Sequence, residues 1–127
     1  MTANSDPAYD ALERIFHEPN RLAIMSALCG ADGGMTFGEI REMCRLTDDN
    51  LNRHLKVLED DRVVKVSKTF VANKPRTMIA LTAQGLKRFT EYLTALETVL
   101  EQARQAIPQE ARPAATAALA KALHSHA

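Results

Sequence analysis

A group of polar side chains between residues 47 and 56 has the chemistry needed to bind a nucleic acid. Its members are Thr47, Asn50, Asn52, Arg53 and Lys56. Amide and guanidinium groups make paired hydrogen bonds to base edges, and lysine and arginine bind phosphate oxygens. The group lacks a nucleophile with an adjacent base, which covalent catalysis requires. These residue types therefore favour DNA recognition over catalysis, and we expect no catalytic residues.

The polar group belongs to a segment, residues 46–60, that is predicted to form an amphipathic helix. Three leucines recur at helical spacing and define its apolar face: Leu51, Leu55 and Leu58. Thr47 can cap the N-terminus, and Leu46 can pack on Leu51 as a hydrophobic staple. Because the apolar face ties the helix to a core, the polar face is left accessible. We call this segment the recognition helix.

Threonines also mark the starts of the preceding and the following helix. Thr36 has Glu39 three positions later, which completes a Thr-x-x-Glu capping box, and Thr82 starts the following helix with leucines on either side of the cap. Only residues 45–47 separate the helix that starts at Thr36 from the recognition helix. Two short helices joined by so tight a turn form a helix-turn-helix, which presents its second helix to a DNA groove.

A β-hairpin is predicted directly after the recognition helix. Residues 63–70 and 76–81 are β-type runs, joined by a loop over residues 71–75. The expected register places apolar pairs on one face: Val66 opposite Ile79 and Val64 opposite Leu81. The polar residues near its tip are candidate DNA contacts: Lys68, Asn73, Lys74 and Arg76. A helix-turn-helix followed by a basic hairpin is a winged helix, whose wing can reach the backbone or the adjacent minor groove.

The charge distribution supports this interpretation although the net charge is zero. Residues 62–90 contain seven lysines and arginines and no acid, whereas residues 1–61 contain twelve acids and six bases. A compact positive region on a neutral protein is what binding to a phosphate backbone requires. A solvated basic hairpin would show the same pattern, so the charge alone does not decide.

Three short helices are expected to build the rest of the small core. Residues 8–17 have apolar side chains at helical spacing, and Pro19 suits the first turn of a second helix that Gly30 can end. The third helix runs over residues 36–44, with its buried face formed by Phe37, Ile40 and Met43.

A long amphipathic helix is predicted over residues 82–107. Its apolar residues repeat at spacings of three and four: Leu86, Phe89, Leu93, Leu96, Leu100, Ala103 and Ile107. A helix of about 25 residues is about 37 Å long, more than this small core can cover. The simplest partner for the remainder is the same helix of a second subunit. Packing of the helix against its own domain is the alternative.

These elements predict a mainly α protein with a small β-hairpin, that is, an α+β winged helix-turn-helix with a long C-terminal dimerisation helix. Residues 1–81 would form the DNA-binding domain, residues 82–107 the dimerisation helix and residues 108–127 an Ala-rich tail. The tail could form a short helix around Leu119 and Leu123 or fray. We expect a cytoplasmic protein without signal peptide or membrane span, because the chain lacks the apolar runs that both require.

Other chemistry has weaker support in the sequence. His17, Cys29, Cys44 and His54 match no metal-binding spacing, so we expect no metal and no cofactor. His54 is better explained as a core histidine with hydrogen-bonded nitrogens, and the two cysteines as reduced thiols. No glycine-rich phosphate loop or nucleophile elbow is present, which argues against an enzyme. A small-molecule effector is left open, since no group of residues points to one.

Four segments resemble winged-helix transcriptional regulators related to the MarR and ArsR families: 17–25 (HEPNRLAIM), 36–40 (TFGEI), 51–58 (LNRHLKVL) and 81–85 (LTAQG). The resemblance covers about residues 8–100. It implies a dimeric DNA-binding regulator with Asn52, Arg53 and Lys56 in the major groove, the hairpin as wing and the long helix in the dimer interface. Two departures are notable. Arg62 stands where such proteins usually have a glycine, and the cysteine-rich box of metal-sensing ArsR-like proteins is missing.

The sequence thus predicts a homodimeric transcriptional regulator, and more specifically a repressor, that binds a pseudo-palindromic operator in double-stranded DNA. The competing interpretation is a winged-helix protein interaction module without specific DNA binding. Acidic pairs at both ends of the recognition helix, Asp48 with Asp49 and Asp60 with Asp61, keep that alternative open, because carboxylates repel phosphate.

Overall fold

Five helices and three strands make up the part of the chain that the computed structural model describes, residues 7–111. In chain order they are α1 (Pro7–Asp10), α2 (Pro19–Cys29), β1 (Met35–Thr36), α3 (Phe37–Cys44), α4 (Asp48–Asp60), β2 (Val64–Val71), β3 (Lys74–Leu81) and α5 (Ala83–Ala106). Helix α4 is the recognition helix, and β2 with β3 forms the wing. The predicted α+β winged helix-turn-helix is confirmed.

The core lies where α2, α3 and α4 meet the sheet and the first half of α5. Its aromatic centre is formed by Phe16, Phe89 and Tyr92, with the Phe16 and Phe89 rings in an edge-to-face arrangement 5.3 Å apart. Edge-to-face packing adds to the free energy gained by burying the rings. The N-terminal half of α5 is therefore part of the same core as the recognition helix.

The sheet has the strand order β1-β3-β2. The predicted register is confirmed, since Val66 pairs with Ile79 and Val64 with Leu81. The connection is tighter than the predicted loop over residues 71–75. Ala72 and Asn73 alone form the turn, both with positive φ (54° and 65°), which matches the right-handed twist of the strands. Strand β1 is absent from the sequence prediction, because two residues are too few to show an alternating pattern.

The predicted helix over residues 8–17 is wrong. Helix α1 ends at Asp10, and the chain continues in turns to residue 18. Three-residue turns replace the helix: the Leu12 N–H donates to the Tyr9 carbonyl oxygen at 3.2 Å and the Phe16 N–H to the Glu13 carbonyl oxygen at 3.1 Å. The Ile15 carbonyl oxygen accepts from Arg21 Nε at 2.7 Å. The apolar side chains of this segment are nevertheless directed to the core: Phe16 is buried in it, and Leu12 and Ile15 pack against it.

The predicted buried face of α3 is also partly wrong. Ile40 is buried and Phe37 is half-buried, but the Met43 side chain is largely exposed. Cys44, one position later, packs against the core instead. Phe37, Ile40 and Cys44 are spaced by three and four residues, so they share one side of the helix. The core-facing side therefore has the predicted helical period but ends at Cys44 instead of Met43.

The three threonine caps are confirmed. The hydroxyl oxygens of Thr36, Thr47 and Thr82 each accept a hydrogen bond from the backbone N–H three residues on, and Glu39 completes the capping box at Thr36. At the end of the recognition helix Arg62 takes the left-handed conformation that a glycine usually provides, with φ of 62°. The Val63 N–H then donates to the Leu58 carbonyl oxygen, which closes the helix.

Helix α5 agrees with the predicted bounds, since Thr82 and Ile107 flank its 24 residues. Pro108 follows immediately. Within residues 7–111 no helix combines the length and the apolar character needed to cross a membrane. The predicted behaviour of the tail around Leu119 and Leu123 falls outside the described residues.

Candidate nucleic-acid interface

Helix α4 has a buried side and a polar exposed side, as the sequence predicts. Leu51, Leu55 and Leu58 are buried in the core. On the other side Asn52, Arg53 and Lys56 are exposed, as is Thr47 at the N-terminus, while Asn50 is half-buried. Thr47 Oγ1 accepts from the Asn50 N–H at 3.2 Å, so its hydroxyl oxygen is engaged in capping. The structure thus leaves Asn52, Arg53 and Lys56 exposed on the solvent side of the helix, with Thr47 exposed and Asn50 half-buried near its N-terminus.

Arg53 is oriented before any partner binds. Its Nη2 donates to the Asn50 side-chain oxygen one turn earlier on the same helix. A guanidinium held by a neighbouring side chain loses less rotamer freedom when it binds. The Arg53 fork is therefore presented outward from the middle of the recognition helix, with donors to spare for a second partner.

Three of the four acids at the ends of the recognition helix, Asp48, Asp60 and Asp61, have cationic partners. Arg41 Nη1 lies 2.9 Å from Asp48 Oδ1, Arg88 Nη2 lies 2.7 Å from Asp61 Oδ2, and the Lys56–Asp60 pair is looser at 3.6 Å. Hydrogen bonding to Asp48 raises the pKa of Arg41, so this cation stays charged. Neutralising these carboxylates weakens the repulsion that they would exert on a phosphate backbone.

The underside of the recognition helix is joined to α2 by a polar cluster. His54 Nδ1 lies 3.3 Å from Arg21 Nη1 and 3.9 Å from Glu18 Oε1. The His54 side chain is 15% exposed, so it sits at the edge of the core with a hydrogen-bonding partner rather than in its centre. The role of Arg21 could not be predicted from the sequence, because nothing in its local pattern shows that its side chain reaches Ile15 and His54.

Arg88 ties three parts of the chain together. Its guanidinium donates to both Glu13 carboxylate oxygens, at 2.7 and 3.3 Å, and to the Asp61 backbone and side chain. These hydrogen bonds, first of all those to Glu13, hold its pKa well above the ordinary value. The sequence counted Arg88 as part of the free basic region, whereas the structure uses it to join α5 to the end of the recognition helix.

The wing carries its predicted polar residues at the surface. Lys68, Lys74 and Arg76 are exposed, and Asn73 lies in the two-residue turn. Because side chains alternate along a strand, Lys68 lies on the face that includes Val64, whereas Arg76 and Lys74 belong to the opposite face. The cations therefore surround the tip instead of lining one side. Phe70, near the same tip, is a large exposed side chain that was not predicted to be a site residue.

Helix α5 divides its apolar repeat between two surfaces. Phe89 is buried in the chain's own core, and Leu96 packs against that core. Leu86, Leu93 and Leu100, spaced by seven residues, are 39–48% exposed, and Ile107 continues the spacing at 38%. Ala103 is exposed as well. The helix thus packs on its own domain along one side and retains an exposed apolar stripe, while its pairing with a second subunit stays a prediction.

The two histidines considered for metal binding are hydrogen-bonded to other side chains. His17 Nδ1 is hydrogen-bonded to the Tyr92 hydroxyl at 2.8 Å, and His54 contacts Arg21. Cys29 and Cys44 are free thiols, and burial raises the pKa of each. Among residues 7–111 no three His, Cys, Asp or Glu side chains are grouped as metal ligands.

Two clefts could admit a small molecule. One of about 370 Å³ lies where the loop after α2 meets the end of β3 and Leu86 of α5, and an open groove of about 1040 Å³ separates α3 from β3. Both are open to solvent, unlike the enclosed pockets that bury most of a ligand's surface, so the effector stays a prediction.

Residues 20–100 match the family model of a winged helix DNA-binding domain. Over 80 residues the chain is 32% identical to an uncharacterized protein of Methanocaldococcus jannaschii, which corresponds to 63% of this chain and 86% of that protein. The structure of a transcriptional regulator homologue from Pyrococcus horikoshii is similar at 30% identity and a TM-score of 0.68, over 74% of this chain and 93% of that one.

Two more distant structures share the fold. A mutant of the Staphylococcus aureus regulator MepR bound to an oligodeoxyribonucleotide is 16% identical, with a TM-score of 0.57 over 95% of this chain and 91% of that one. A MarR-family regulator from Silicibacter pomeroyi is 18% identical, with a TM-score of 0.54 over 94% and 82%. These two structures show that the chain shares its fold with MarR-related regulators, as the sequence resemblance predicts.

Proposed function

Because the chain belongs to the winged helix DNA-binding domain family, we propose that it is a homodimeric transcriptional repressor that binds a pseudo-palindromic operator. The observation that carries the proposal is the exposed polar face of α4, which lies opposite three buried leucines and is flanked by a basic wing. A fixed helix with an accessible polar face is the geometry that enters a major groove.

In the proposed complex the recognition helix reads bases. Arg53 donates two hydrogen bonds to a guanine, and Asn52 can pair with an adenine or contact a backbone sugar. Lys56, Asn50 and Thr47 flank them and bind phosphates or base edges. Asn50 supports this assignment because its side-chain oxygen already orients the Arg53 guanidinium outward.

The wing supplies backbone contacts in this proposal. Lys68, Lys74 and Arg76 surround the hairpin tip, and Asn73 occupies its turn. A charged tip of this kind suits the closely spaced phosphates on both sides of the minor groove. These contacts fix the register of the protein on the duplex and add affinity that falls with salt.

The dimer is proposed to form through α5. Leu86, Leu93 and Leu100 are exposed at heptad spacing on a helix that is about 36 Å long. Two copies packed along this stripe bury it and relate two recognition helices by a two-fold axis. The operator half-sites are then expected one helical turn apart, about 34 Å. As a regulator of chromosomal genes the protein would act in the cytoplasm.

The test is a selection of bound sites from a random duplex pool, preceded by a titration against random duplex at low salt. The proposal expects micromolar or tighter non-specific binding and an enriched motif with two-fold symmetry. Absence of duplex binding at low salt would contradict the proposal and favour the protein interaction module. Enrichment of a single half-site without symmetry would contradict the homodimer while leaving DNA binding intact.

A further inference from the structure

Phe70 is the most exposed large apolar side chain in residues 7–111, at 74%. It lies near the end of β2 and pairs with Pro75 across the hairpin. Leaving an aromatic ring in water gives up the free energy of its burial, about 25 cal/mol per Å². An isolated exposed apolar residue is common on protein surfaces, so the surroundings of Phe70 must show whether it has a partner.

The tip of the wing around Phe70 is cationic. Lys68 lies two residues earlier on the same face of β2, whereas Lys74 and Arg76 lie on the opposite face of the hairpin. No acid occurs anywhere in residues 62–90. A partner of matching charge must be densely anionic and must also offer an apolar recess. The minor groove of duplex DNA meets both demands, because phosphates line its rims and sugars line its walls.

Phe70 lies on the same face of the wing as the residues of β2 that reach the core. Phe70 alternates with Val66 and Val64 on one face of β2, where Val64 is buried and Val66 packs against the core. Val71 belongs to the opposite face. Phe70 therefore extends the core-facing surface of the hairpin beyond the edge of the core.

The length of the wing determines how far Phe70 can reach. Strand β2 continues past Val66 to Val71, and Phe70, four residues past Val66, lies about 13 Å along the strand at 3.3–3.4 Å per residue. The wing therefore extends well beyond the core, as a wing must if it is to reach the minor groove next to the major groove that would hold α4.

We propose that Phe70 is an apolar minor-groove contact that packs against the sugar walls and inserts at a deformable base step. This inference rests on the proposed DNA binding and adds to it a source of specificity that uses no hydrogen bonds. Pyrimidine–purine steps such as TA and CA unstack most easily, so they are the expected preference at the wing position. The neighbouring lysines and Arg76 would hold the flanking phosphates.

The test compares three variants on the selected operator and on random duplex. Phe70→Ala is expected to weaken operator binding about tenfold, the change expected for losing partial burial of an aromatic ring, and Phe70→Leu less. The slope of log K against log salt should stay unchanged, because no cation is removed. Val71→Ala, the matched control on the opposite face, should leave the affinity unchanged. Since Phe70 is exposed, thermal unfolding should be the same for all three.

A second measurement varies the base step. Replacing a TA step at the wing position by GC should weaken wild-type binding, and Phe70→Ala should bind both duplexes equally. Equal operator affinity of Phe70→Ala and wild type would overturn the minor-groove contact, while wild-type binding would show that DNA binding itself stands. A changed oligomeric state in Phe70→Ala at unchanged DNA affinity would also overturn it and identify a protein contact. Failure of wild type to bind any duplex would instead refute the underlying function.

Discussion

Arg53 is the side chain on which base recognition depends in the proposed complex. Its guanidinium extends from the exposed face of α4 and is held by Asn50. Asn50 and Arg53 are three residues apart, so they lie on the same side of the helix. Their pairing turns a flexible side chain into an oriented donor, which bidentate recognition of a base requires.

Replacing Arg53 by alanine should relax base preference more than it lowers total affinity. A bidentate arginine–guanine pair contributes about 1–3 kcal/mol of discrimination, whereas the phosphate contacts of other residues are retained. The measurement is a competition between the operator and single-base variants of each half-site. Arg104→Ala, an exposed arginine in the last turn of α5, is the control and should keep the preference. Unchanged discrimination in Arg53→Ala would remove Arg53 from base reading.

Tyr92 gives the protein a pH-dependent contribution to stability. Burial raises the pKa of Tyr92 above its ordinary value, because ionised phenolate is poorly solvated in the core. The unfolded chain therefore loses this proton at a lower pH than the folded chain. The contribution to the free energy of unfolding is fully present below about pH 9 and declines as pH rises through the unfolded value of about 10.

This decline should disappear when Tyr92 is replaced by phenylalanine. Urea unfolding of wild type and Tyr92→Phe at several alkaline pH values isolates the contribution, because other groups titrate in both proteins. The variant also loses the hydrogen bond to His17, so it should be less stable by about 1 kcal/mol at neutral pH. Parallel pH curves for the two proteins would refute the raised pKa.

At the scale of the elements, the wing and the recognition helix divide the work of binding. The helix holds the amide side chains and Arg53 on a surface backed by leucines, whereas the wing projects beyond the core with cations around its tip. Base edges distinguish sequences, but phosphates do not. The helix should therefore determine which base edges are recognised, and the cations of the wing should contribute to the salt dependence of the affinity.

Replacing Lys74 or Arg76 by alanine should reduce the slope of log K against log salt by about 1 in each case, because each cation releases about one counterion on binding. Both residues are exposed and lie on the same face of the wing. The affinity should fall equally for operator and random duplex. Slopes equal to that of wild type in both variants would place the wing outside the interface.

The junction between the wing and α5 depends on a close backbone approach. A Cβ added at Gly85 would lie 2.1 Å from the Val63 carbonyl oxygen, whereas one at Gly38 of α3 would have Arg41 Nη2, at 3.9 Å, as its nearest neighbour. Thr82 adds to this junction, since its N–H donates to the Val63 carbonyl oxygen at 3.0 Å. The start of α5 is thus fixed against the exit of the recognition helix.

Gly85→Ala should therefore lower the free energy of unfolding by about 2–3 kcal/mol, because backbone must shift to admit the methyl group. Gly38→Ala is the matched control. It should leave stability unchanged or raise it by up to about 1 kcal/mol, as alanine favours the helix. Chemical denaturation measures both. Equal stability of the two variants would show that α5 does not approach Val63 so closely.

For the whole molecule, the exposed stripe on α5 decides the geometry of binding. One copy presents one recognition helix and one wing. Two copies joined along Leu86, Leu93 and Leu100 would present two pairs at a fixed spacing. Phe89 and Tyr92 anchor the same helix in the core, so the position of the dimer axis would be transmitted directly to the DNA-binding surface.

Leu93→Glu should convert the dimer to a monomer, because it places a charge in the centre of the proposed stripe. Sedimentation equilibrium measures the mass, and operator titration should show at least about a tenfold loss of affinity, since the second half-site no longer adds to binding. Thr94→Glu, exposed and off the stripe, should change neither. A monomeric wild-type protein with full operator affinity would refute the dimer.

Local sequence determined the elements whose signals lie within a few residues of each other. The caps at Thr36, Thr47 and Thr82 were readable because a capping hydrogen bond spans three residues. The hairpin register followed from alternating apolar residues. The sequence left the exit from the recognition helix at Arg62 open, and the structure shows a left-handed residue there. The polar surface of α4 was readable for the same reason, since its leucines fix which side faces outward.

Only the tertiary structure decided what depends on contacts between distant segments. Arg21 reaches His54, which is 33 residues away, and Arg88 pairs with Glu13, which is 75 residues away, instead of joining the basic surface. The division of the α5 repeat into buried Phe89 and exposed Leu93 belongs here as well. A periodic pattern shows that side chains share a face of a helix, but what covers that face is set by the elements packed around it.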